Sequence, residues 1–457
     1  MFDLSEPSAF IGARHQGPDS RVLAVTTDSR AIRRGDLFVA LKGERFDGHA
    51  FVDAALAAGA AGAVVSNPAS VATHEAPLLV VPDTRIALGE LGAWWRDRFD
   101  IPVVGVTGSN GKTSVKEMIA AILRQHAGAD GVLATEGNLN NDIGLPLMLL
   151  RLRAQHRYAI FEMGMNHLGE ISYLTALARP TVAVINNAGV AHIGELGSRE
   201  NIARAKGEIL EGLETAGTRV LNADDDFYPY WAGLRTDTRL VRFGVGHPAD
   251  VSATYELTNG GSLLTLQTPS GPSIARLHVP GLHNVRNALA AAAVACVLGI
   301  PAATIARGLS AYQGVKGRLQ SKIGPGGSVV VDDTYNANPD SMKAAIAWLA
   351  QAHGKRMLVM GDMGELGPDA AAMHADVGLF ARTQGIDRLY ALGETSRRSV
   401  EAFGAEGRHY DDVESLVRDV AGACDNDTTV LVKGSRFMKM ERVVDALVGG
   451  TTTVGEH

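Results

Sequence analysis

The chain has very little cysteine and no excess of basic residues. Its 457 residues include only Cys296 and Cys424, which excludes a disulfide framework and a zinc site built from several thiolates. Such cysteine usage is typical of a reducing compartment, and we expect a cytoplasmic protein. Against 43 Lys and Arg stand 50 Asp and Glu, a formal charge of −7. This balance argues against a broad nucleic-acid-binding surface, which needs a basic excess.

Signals for secretion or membrane insertion are also missing. The first ten residues carry acidic side chains and no basic n-region, so we expect no secretory signal. The uncharged stretch 288–306 is rich in alanine, but Gly299 and Pro301 interrupt it. It therefore predicts a buried helix ending near Leu298, a turn and a second helix, and no membrane span.

What the sequence does contain is an alternation of strands and helices, which indicates an α/β protein. A chain of this length needs more than one core. A break at 100–102 and a glycine-flanked linker at 314–317 predict a smaller α/β domain at 1–99, a central domain at 100–316 and a Rossmann-like domain at 317–457. We expect the central sheet to be doubly wound and mostly parallel. The clearest strands are 37–41, 62–66, 78–82, 101–106, 158–162, 181–186, 328–333, 356–362, 387–393 and 428–434.

The strongest local motif lies between the strand 101–106 and a helix that begins near Lys112. It consists of Thr107, Gly108, Ser109, Asn110, Gly111, Lys112 and Thr113. Small residues let backbone N–H groups approach phosphate oxygens, and a helix N-terminus favours the anion. Lys112 is expected to reach the β- and γ-phosphates and Thr113 to bind Mg²⁺. The usual pattern has glycine where this chain has Val106, so the motif departs from the strict form at one residue.

A carboxylate and an imidazole follow two of the predicted strands. Glu162 ends the strand 158–162, and His192 lies a few residues beyond the strand 181–186. Because ligands gather at the carboxyl ends of parallel strands, both could hold Mg²⁺ near the phosphate loop. Taken alone, Glu162 could instead support a helix start and His192 could be a satisfied loop residue. Lys206, on a predicted helix, reads from the residues alone as a solvated surface lysine.

These residues together resemble the Mur ligases, the ATP-dependent amide-forming enzymes of peptidoglycan synthesis. The resemblance runs from about residue 20 to about residue 445, and it includes the loop variant with Val106, Glu162, His192, Lys206, the segment 283–287 and Gly317-Arg318. It implies ATP as the nucleotide and a metal site, with two Mg²⁺ ions, formed by Thr113, Glu162 and His192. It further implies that CO₂ carbamylates Lys206, which adds a carboxylate beside the metals.

The same resemblance implies roles on the nucleotide side. Asn284 and Asn287 are implied to face the nucleotide, with Arg318 and Asp333 closing over it from the last domain. Three segments, 28–49, 137–146 and 333–342, are similar to members that join D-alanyl-D-alanine to UDP-N-acetylmuramoyl-tripeptide through an acyl phosphate. The Asp-Asn-Pro-Arg tetrapeptide that is usual in diaminopimelate-adding members does not occur. The resemblance implies that the two substrates are bound by Ser29, Arg30, Asp47, His49, Asn138, Asn140, Asn141, Tyr335, Asn336, Asn338, Lys433 and Arg436.

Simpler interpretations of these segments remain open. Residues 28–30 could be a turn, the three asparagines at 138–141 could bond their own backbone, and 335–339 could be a turn before a capped helix. Another Mur-type amino-acid ligase or a folylpolyglutamate synthase is the nearest alternative function. A P-loop switch or motor and a passive nucleotide-binding module are more distant ones. The chain has no Asn-Lys pair, which a GTPase guanine motif would need. We expect a monomer.

Overall fold

The structure is a computed structural model that describes residues 1–44, 46–73, 75–191, 193–258 and 260–449. Within these ranges the chain forms 22 β-strands and 15 α-helices. They build separate sheets in three successive stretches, here called the first, middle and last stretch. The predicted α/β class and the parallel central sheet are confirmed. The exact domain limits remain a prediction.

The first stretch contains a five-stranded sheet in the order β2-β7-β6-β5-β4 and a separate β1-β3 pair. Strand β2 runs antiparallel to β7, and the other neighbours in the five-stranded sheet are parallel. The elements are β1 (Phe2–Asp3), β2 (Arg14–Gln16), β3 (Arg21–Val22), β4 (Ala24–Thr26), β5 (Asp36–Val39), β6 (Gly62–Val65), β7 (Leu78–Val80), α1 (Val52–Ala57) and α2 (Thr84–Arg96).

The middle stretch is built on a six-stranded, all-parallel sheet in the order β13-β12-β11-β8-β10-β9. Its strands are β8 (Val103–Thr107), β9 (Val132–Ala134), β10 (Tyr158–Glu162), β11 (Val182–Ile185), β12 (Thr218–Asn222) and β13 (Arg239–Phe243). The central strands read as continuous apolar runs because helices cover both faces of the sheet. An antiparallel sheet follows, formed by β14 (Ser252–Thr258), β15 (Gly261–Gln267) and β16 (Ser273–Leu277).

The helices of the middle stretch are α3 (Lys112–Ala127), α4 (Gly144–Leu149), α5 (Glu170–Ala178), α6 (Ile193–Leu196), α7 (Arg199–Gly207), α8 (Tyr228–Gly233), α9 (Leu282–Val297) and α10 (Ala302–Ala311). The alanine-rich segment forms α9, a turn and α10, as predicted. Its small residues allow close packing, since a Cβ at Gly308 on α10 would lie 2.9 Å from the Ile122 side chain on α3. Among the described residues, no helix is both long and apolar enough to cross a membrane.

The last stretch forms a second six-stranded sheet in the order β17-β18-β22-β19-β20-β21, in which β17 alone is antiparallel to its neighbour. Its elements are β17 (Gln320–Ile323), β18 (Val329–Asp333), β19 (Lys355–Gly361), β20 (Arg388–Leu392), β21 (Gly407–Tyr410), β22 (Thr428–Lys433), α11 (Pro339–Leu349), α12 (Ala370–Thr383), α13 (Arg397–Phe403), α14 (Val413–Ala423) and α15 (Glu441–Gly449).

One hydrophobic core joins the first and middle stretches. Phe2 packs against Trp94 and Trp95 of α2, with ring centroids 5.1 and 5.7 Å away. Trp95 also donates its indole N–H to the Leu152 carbonyl of the middle stretch at 3.0 Å. The same buried cluster continues to Trp231. The two stretches are therefore packed together, whereas the last stretch has cores of its own.

Candidate active site

The phosphate loop joins the end of β8 to the start of α3. Gly111 precedes the helix with φ +80°, a left-handed conformation that favours glycine, and a Cβ there would overlap Asn287 Oδ1. Val106 is a buried residue of β8 and lies beside Glu162 of β10 in the sheet register. The departure from the strict motif therefore falls inside the strand, before the turn begins.

Hydrogen bonds within the phosphate loop and to the ends of neighbouring strands fix the shape of the loop. Asn187, just after β11, accepts the Ser109 N–H on its carbonyl at 3.0 Å and the Asn110 N–H on Oδ1 at 2.8 Å. Thr107 Oγ1 donates to the Met163 carbonyl at 2.9 Å. Lys112 Nζ donates to the Gly108 carbonyl at 2.7 Å. Burial lowers the pKa of Lys112, and the nearby Glu162 carboxylate opposes this shift.

Glu162 lies at the carboxyl end of β10 and connects three segments. Its Oε2 accepts a hydrogen bond from Thr113 Oγ1 at 2.9 Å, and its Oε1 accepts one from Asn140 Nδ2 at 2.8 Å. Its N–H donates to Thr135 Oγ1 at 2.9 Å. Two of the oxygen donors expected for Mg²⁺, Thr113 and Glu162, thus lie together. The described residues contain no group of three or more His, Cys, Asp or Glu arranged to hold a metal.

Lys206 lies on α7 with its side chain fully buried, so its interpretation as a surface lysine is wrong. Its Nζ has no hydrogen-bond partner among the described residues. Burial, and next the positive charge of Lys112, lowers its pKa well below the usual 10.5. The carboxylates that oppose this shift belong to Glu208, Glu162 and Glu170. A buried amine with a lowered pKa is a nucleophile for CO₂, so the site suits a carbamate chemically. His192 lies outside the described residues.

The predicted nucleotide residues of α9 line a second cavity of about 430 Å³, which also reaches Asn110 and Gly111 of the phosphate loop. Asn284 Nδ2 donates to the Pro280 carbonyl at 2.8 Å, and Asn287 Nδ2 donates to Asn284 Oδ1 at 3.3 Å. Asn186 Nδ2 donates to Asn287 Oδ1 at 3.0 Å, which ties α9 to the end of β11. Burial lowers the pKa of His283 to about 4, so this cavity contains a neutral imidazole at neutral pH.

The last stretch contributes two cationic side chains, Arg318 and Lys433, to the lining of this cavity. Arg318 Nη2 donates to Thr113 Oγ1 at 3.1 Å, and its guanidinium carbon lies 4.5 Å from the centre of the Tyr335 ring. Lys433 Nζ donates to Asp333 Oδ2 at 2.7 Å and to the Asn336 carbonyl at 2.9 Å. Asp333 and Lys433 end β18 and β22, and Arg318 lies just before β17, whose first residue pairs with Asp332 near the end of β18. All three therefore lie at the carboxyl edge of the parallel strands, where ligands usually bind.

Asn338 and Arg436 make further contacts in this region. Asn338 is the N-cap of α11 with a reciprocal capping box to Ser341, as the simpler interpretation expected. Its Nδ2 also donates to Asn110 Oδ1 of the phosphate loop at 2.9 Å. The Arg436 N–H donates to Asn336 Oδ1 at 3.3 Å, and its guanidinium lies 3.0 Å from Glu441.

A cavity of about 940 Å³ brings most of the predicted residues together. The predicted residues that line it are Ser109, Asn110, Gly111, Lys112, Asn138, Asn140, Asn141, Glu162, Arg318, Asp333, Tyr335, Asn336, Asn338, Lys433 and Arg436. The loop asparagines play two parts: Asn140 bonds Glu162, whereas Asn141 Oδ1 accepts the Gly144 N–H of its own loop at 2.9 Å.

The four predicted residues of the first stretch are not among the described residues that line this cavity. Arg30 pairs with Asp28, the cap of the short 3₁₀ turn Ser29–Ala31. Asp47 Oδ1 lies 2.6 Å from His49 Nδ1, and the buried His49 accepts the Ser66 N–H on Nε2 at 2.9 Å. The contact of Arg30 matches the simpler interpretation of residues 28–30 as a turn, and any ligand role of the four residues remains a proposal.

Sequence reasoning missed several residues that shape the site. Asn186 and Asn187 brace the phosphate loop, and Thr135 orients the backbone of Glu162. Arg85 of α2 pairs with Asp142 in the wall of the large cavity. The two asparagines come directly after a predicted strand, so their position at its carboxyl end was an available signal. The other three become visible only through tertiary contacts.

A parallel sheet with a phosphate loop, faced by a second sheet that presents cations to it, defines a nucleotide-dependent enzyme of the P-loop type. Residues 21–96 match the Mur ligase family catalytic domain, 106–295 the Mur ligase middle domain, and 317–436 the Mur ligase glutamate ligase domain. The chain belongs to the Mur ligase family.

Relatives and solved structures match the chain over nearly its whole length. The UDP-N-acetylmuramoyl-tripeptide–D-alanyl-D-alanine ligase of Escherichia coli K12 is 44% identical over 448 residues, covering 97% of this chain and 98% of the relative. A crystal structure of MurF from Acinetobacter baumannii has a TM-score of 0.90 at 38% identity, with 97% of both chains covered. MurF ligase from Thermotoga maritima, crystallised with ADP, has a TM-score of 0.84 at 28% identity, covering 94% of this chain and 97% of that one.

Proposed function

We propose that the protein uses ATP to join D-alanyl-D-alanine to UDP-N-acetylmuramoyl-tripeptide, giving the pentapeptide precursor of peptidoglycan, ADP and phosphate. The observation that carries this proposal is a cavity of about 940 Å³ lined both by the phosphate loop and by the ends of β18 and β22. A ligase that activates one substrate with ATP and then adds another needs such a shared space. The 44% identical relative is named for this reaction, which supports the choice of substrates.

The chemistry begins with an activation step because a carboxylate is a poor acyl donor. The terminal carboxylate of the tripeptide attacks the γ-phosphorus of ATP, and ADP leaves to give an acyl phosphate. The free amine of D-alanyl-D-alanine then attacks the acyl carbon, loses a proton, and phosphate leaves. Negative charge accumulates in both steps, so positioning and cations contribute most of the catalysis.

Each stretch of the chain has its own proposed role. Lys112 stabilises the transferring phosphoryl group, and the loop 107–113 binds the phosphates. Asn284 and Asn287 bind the nucleotide from α9, while Arg318 and Asp333 approach from the last stretch, whose Arg318 already contacts Thr113. We assign the dipeptide to the last stretch, through Tyr335, Asn336, Asn338, Lys433 and Arg436.

The UDP-linked substrate is assigned to the first and middle stretches. Its nucleotide end is proposed to bind near Ser29, Arg30, Asp47 and His49, and its peptide near Asn138, Asn140 and Asn141. The main ligand would then be the UDP-linked substrate for domain 1–99, ATP for domain 100–316 and the dipeptide for domain 317–457. Since both walls of the cavity come from one chain, a monomer suffices for this arrangement. The use of ATP and a UDP-linked precursor assigns the reaction to the cytoplasm.

The metal site is proposed from the same residues. Thr113, Glu162 and a carbamate on Lys206 supply oxygen donors of the kind that Mg²⁺ prefers, together with His192. Two observations support this arrangement: Thr113 and Glu162 are hydrogen-bonded, and the buried Lys206 amine has no partner within the described part of the chain. When bound, Mg²⁺ neutralises charge on the phosphates of ATP.

A panel of acceptors tests the proposal directly. The protein is supplied with ATP, the UDP-linked tripeptide and separate amino acids or dipeptides, and phosphate release is measured. D-alanyl-D-alanine should give by far the highest kcat/KM. Equal turnover with other acceptors would favour a different Mur-type ligase or a folylpolyglutamate synthase, and hydrolysis without any acceptor would favour a switch, motor or passive module.

Two substitutions test the site. Lys112→Ala should abolish ADP formation while the far-ultraviolet circular dichroism stays unchanged, and retained turnover would refute the phosphate-loop assignment. Lys206→Ala should be inactive, yet partly restored by a short carboxylic acid in solution that replaces the carbamate. A matched control is Lys343→Ala, which removes a lysine from the surface ion pair with Asp376.

A further inference from the structure

The start of α11 joins the last stretch to the middle stretch at two points, one on the phosphate loop and one on the segment after β11. Asn338 Nδ2 donates to Asn110 Oδ1 at 2.9 Å. Two residues further on, Asp340 Oδ2 accepts the N–H of Val190 at 2.8 Å. Val190 belongs to the segment 186–190 that follows β11, here called the β11 loop. Both contacts therefore span the junction between the middle and last stretches.

The β11 loop is itself bonded to the phosphate loop. Asn187 accepts the N–H groups of Ser109 and Asn110, at 3.0 and 2.8 Å. Asn186 and Asn187 in turn donate their side-chain amides to the Asn110 carbonyl at 2.9 and 3.0 Å. The phosphate loop, the β11 loop and the start of α11 thus form one hydrogen-bonded unit. A movement of α11 cannot leave the other two parts unaffected.

The contact of Asp340 also sets a steric requirement on the β11 loop. Gly189 does not adopt a left-handed φ, so its backbone alone does not require glycine. A Cβ at Gly189, however, would collide with Asp340 Oδ2, whereas its distance to Asn110 Nδ2 would be an ordinary 3.6 Å. The glycine is needed here because the carboxylate of the last stretch packs directly on the loop.

We propose that Asp340 is a positioning residue that holds the β11 loop, and through it the phosphate loop, in working shape while the last stretch is docked on the middle stretch. The affinity for nucleotide and the docking of the last stretch are then coupled, and each strengthens the other by the same factor. This inference rests on the proposed function only in assigning the dipeptide to the docked stretch. The carboxylate makes a charge-assisted bond, so its loss should shift the docking equilibrium by about tenfold or more.

Four variants and a double variant test this role. Asp340→Ala should lower kcat at saturating substrates and raise the Kd for ADP, each by about tenfold. Asp340→Asn keeps an acceptor oxygen for the same N–H and should recover most of the loss. Asp376→Ala is the matched control, because the Asp376 carboxylate of α12 forms a surface ion pair with Lys343 of α11, 2.5 Å away. It should leave both constants unchanged.

The Gly189→Ala variant tests specifically whether Asp340 acts through its contact with the β11 loop. Alone, it should reduce kcat about as much as Asp340→Ala, because the new methyl group displaces the carboxylate. Combined with Asp340→Ala, it should cause no further loss, since the nearest remaining atom is at 3.6 Å. Losses that multiply in the double variant, or an Asp340→Ala variant with wild-type constants, would overturn the inference. Neither result would affect the proposed function, which depends on the acceptor panel with the wild-type enzyme.

Discussion

Replacing Lys206 with methionine should stabilise the protein while abolishing its activity. The Lys206 amine is fully buried and has no hydrogen-bond partner among the described residues. Its pKa is well below 10.5 because burial and the charge of Lys112 disfavour the ammonium. The folded chain therefore has to release a proton that the unfolded chain retains. Methionine has a similar length and carries no such penalty.

The size and sign of the effect follow from proton linkage. Between the lowered pKa and 10.5, the unfolded state binds one more proton at Lys206 than the folded state does. The wild-type free energy of unfolding therefore rises with pH by up to about 1.4 kcal/mol per unit, and this contribution is absent from Lys206→Met. The stability advantage of the variant should accordingly shrink as the pH rises from the lowered pKa towards 10.5, by up to about 1.4 kcal/mol per pH unit.

Urea titrations in CO₂-free buffer with a chelator measure this difference. Trp231 is a suitable reporter because it is fully buried and donates its indole N–H to the Ala203 carbonyl on α7, at 2.9 Å. If the two proteins changed in parallel over the pH range, Lys206 would be charged in the folded chain, and the burial argument would be refuted. Added bicarbonate should stabilise the wild type with Mg²⁺ present and leave the methionine variant unchanged.

Three further outcomes are expected. Gly111→Ala should raise the Kd for ADP about tenfold, as measured by calorimetry, because a side chain at φ +80° is strained and would overlap Asn287 Oδ1. Lys433→Met should lower the free energy of unfolding in urea by about 3–5 kcal/mol, because it leaves the buried Asp333 carboxylate unpaired. Burial lowers the pKa of His374 below 6.5, and its Nε2 accepts a backbone N–H at 2.9 Å, so the folded state resists protonation there. Stability should therefore fall below about pH 6.5 in the wild type and less steeply in His374→Gln, as compared by urea midpoints at several pH values.

The local sequence was sufficient to predict the position of strands that are buried along their whole length. Strand β10 occupies the predicted residues 158–162, because a fully buried parallel strand reads as one apolar run. The edge strands β9, β13, β17 and β21 were not predicted. They are short or carry exposed polar residues, and pairing with a neighbouring strand stabilises them more than their own composition does.

The candidate site also contains features that the local sequence predicts and features that it does not. The phosphate loop was predictable because its spacing of small residues before Lys112 has a local cause, the approach of backbone N–H groups to phosphate. The burial of Lys206 was not, since α7 also carries Arg199, Glu200 and Arg204 and reads as a solvated helix. The side of such a helix that becomes buried depends on the elements that pack against it.

The sequence by itself determined that the chain lacks a cysteine framework and a basic surface, that it is an α/β protein, and where its phosphate loop lies. These are properties of composition and of contacts between near neighbours in the chain. Only the tertiary structure decided that Lys206 is buried with no hydrogen-bond partner among the described residues and that Arg318 reaches Thr113. It also decided that Asn338 bonds Asn110 of the phosphate loop and that Asp340 bonds Val190 of the β11 loop. The contacts between the middle and last stretches join residues as much as 228 positions apart, and they exist only because these two stretches pack against each other.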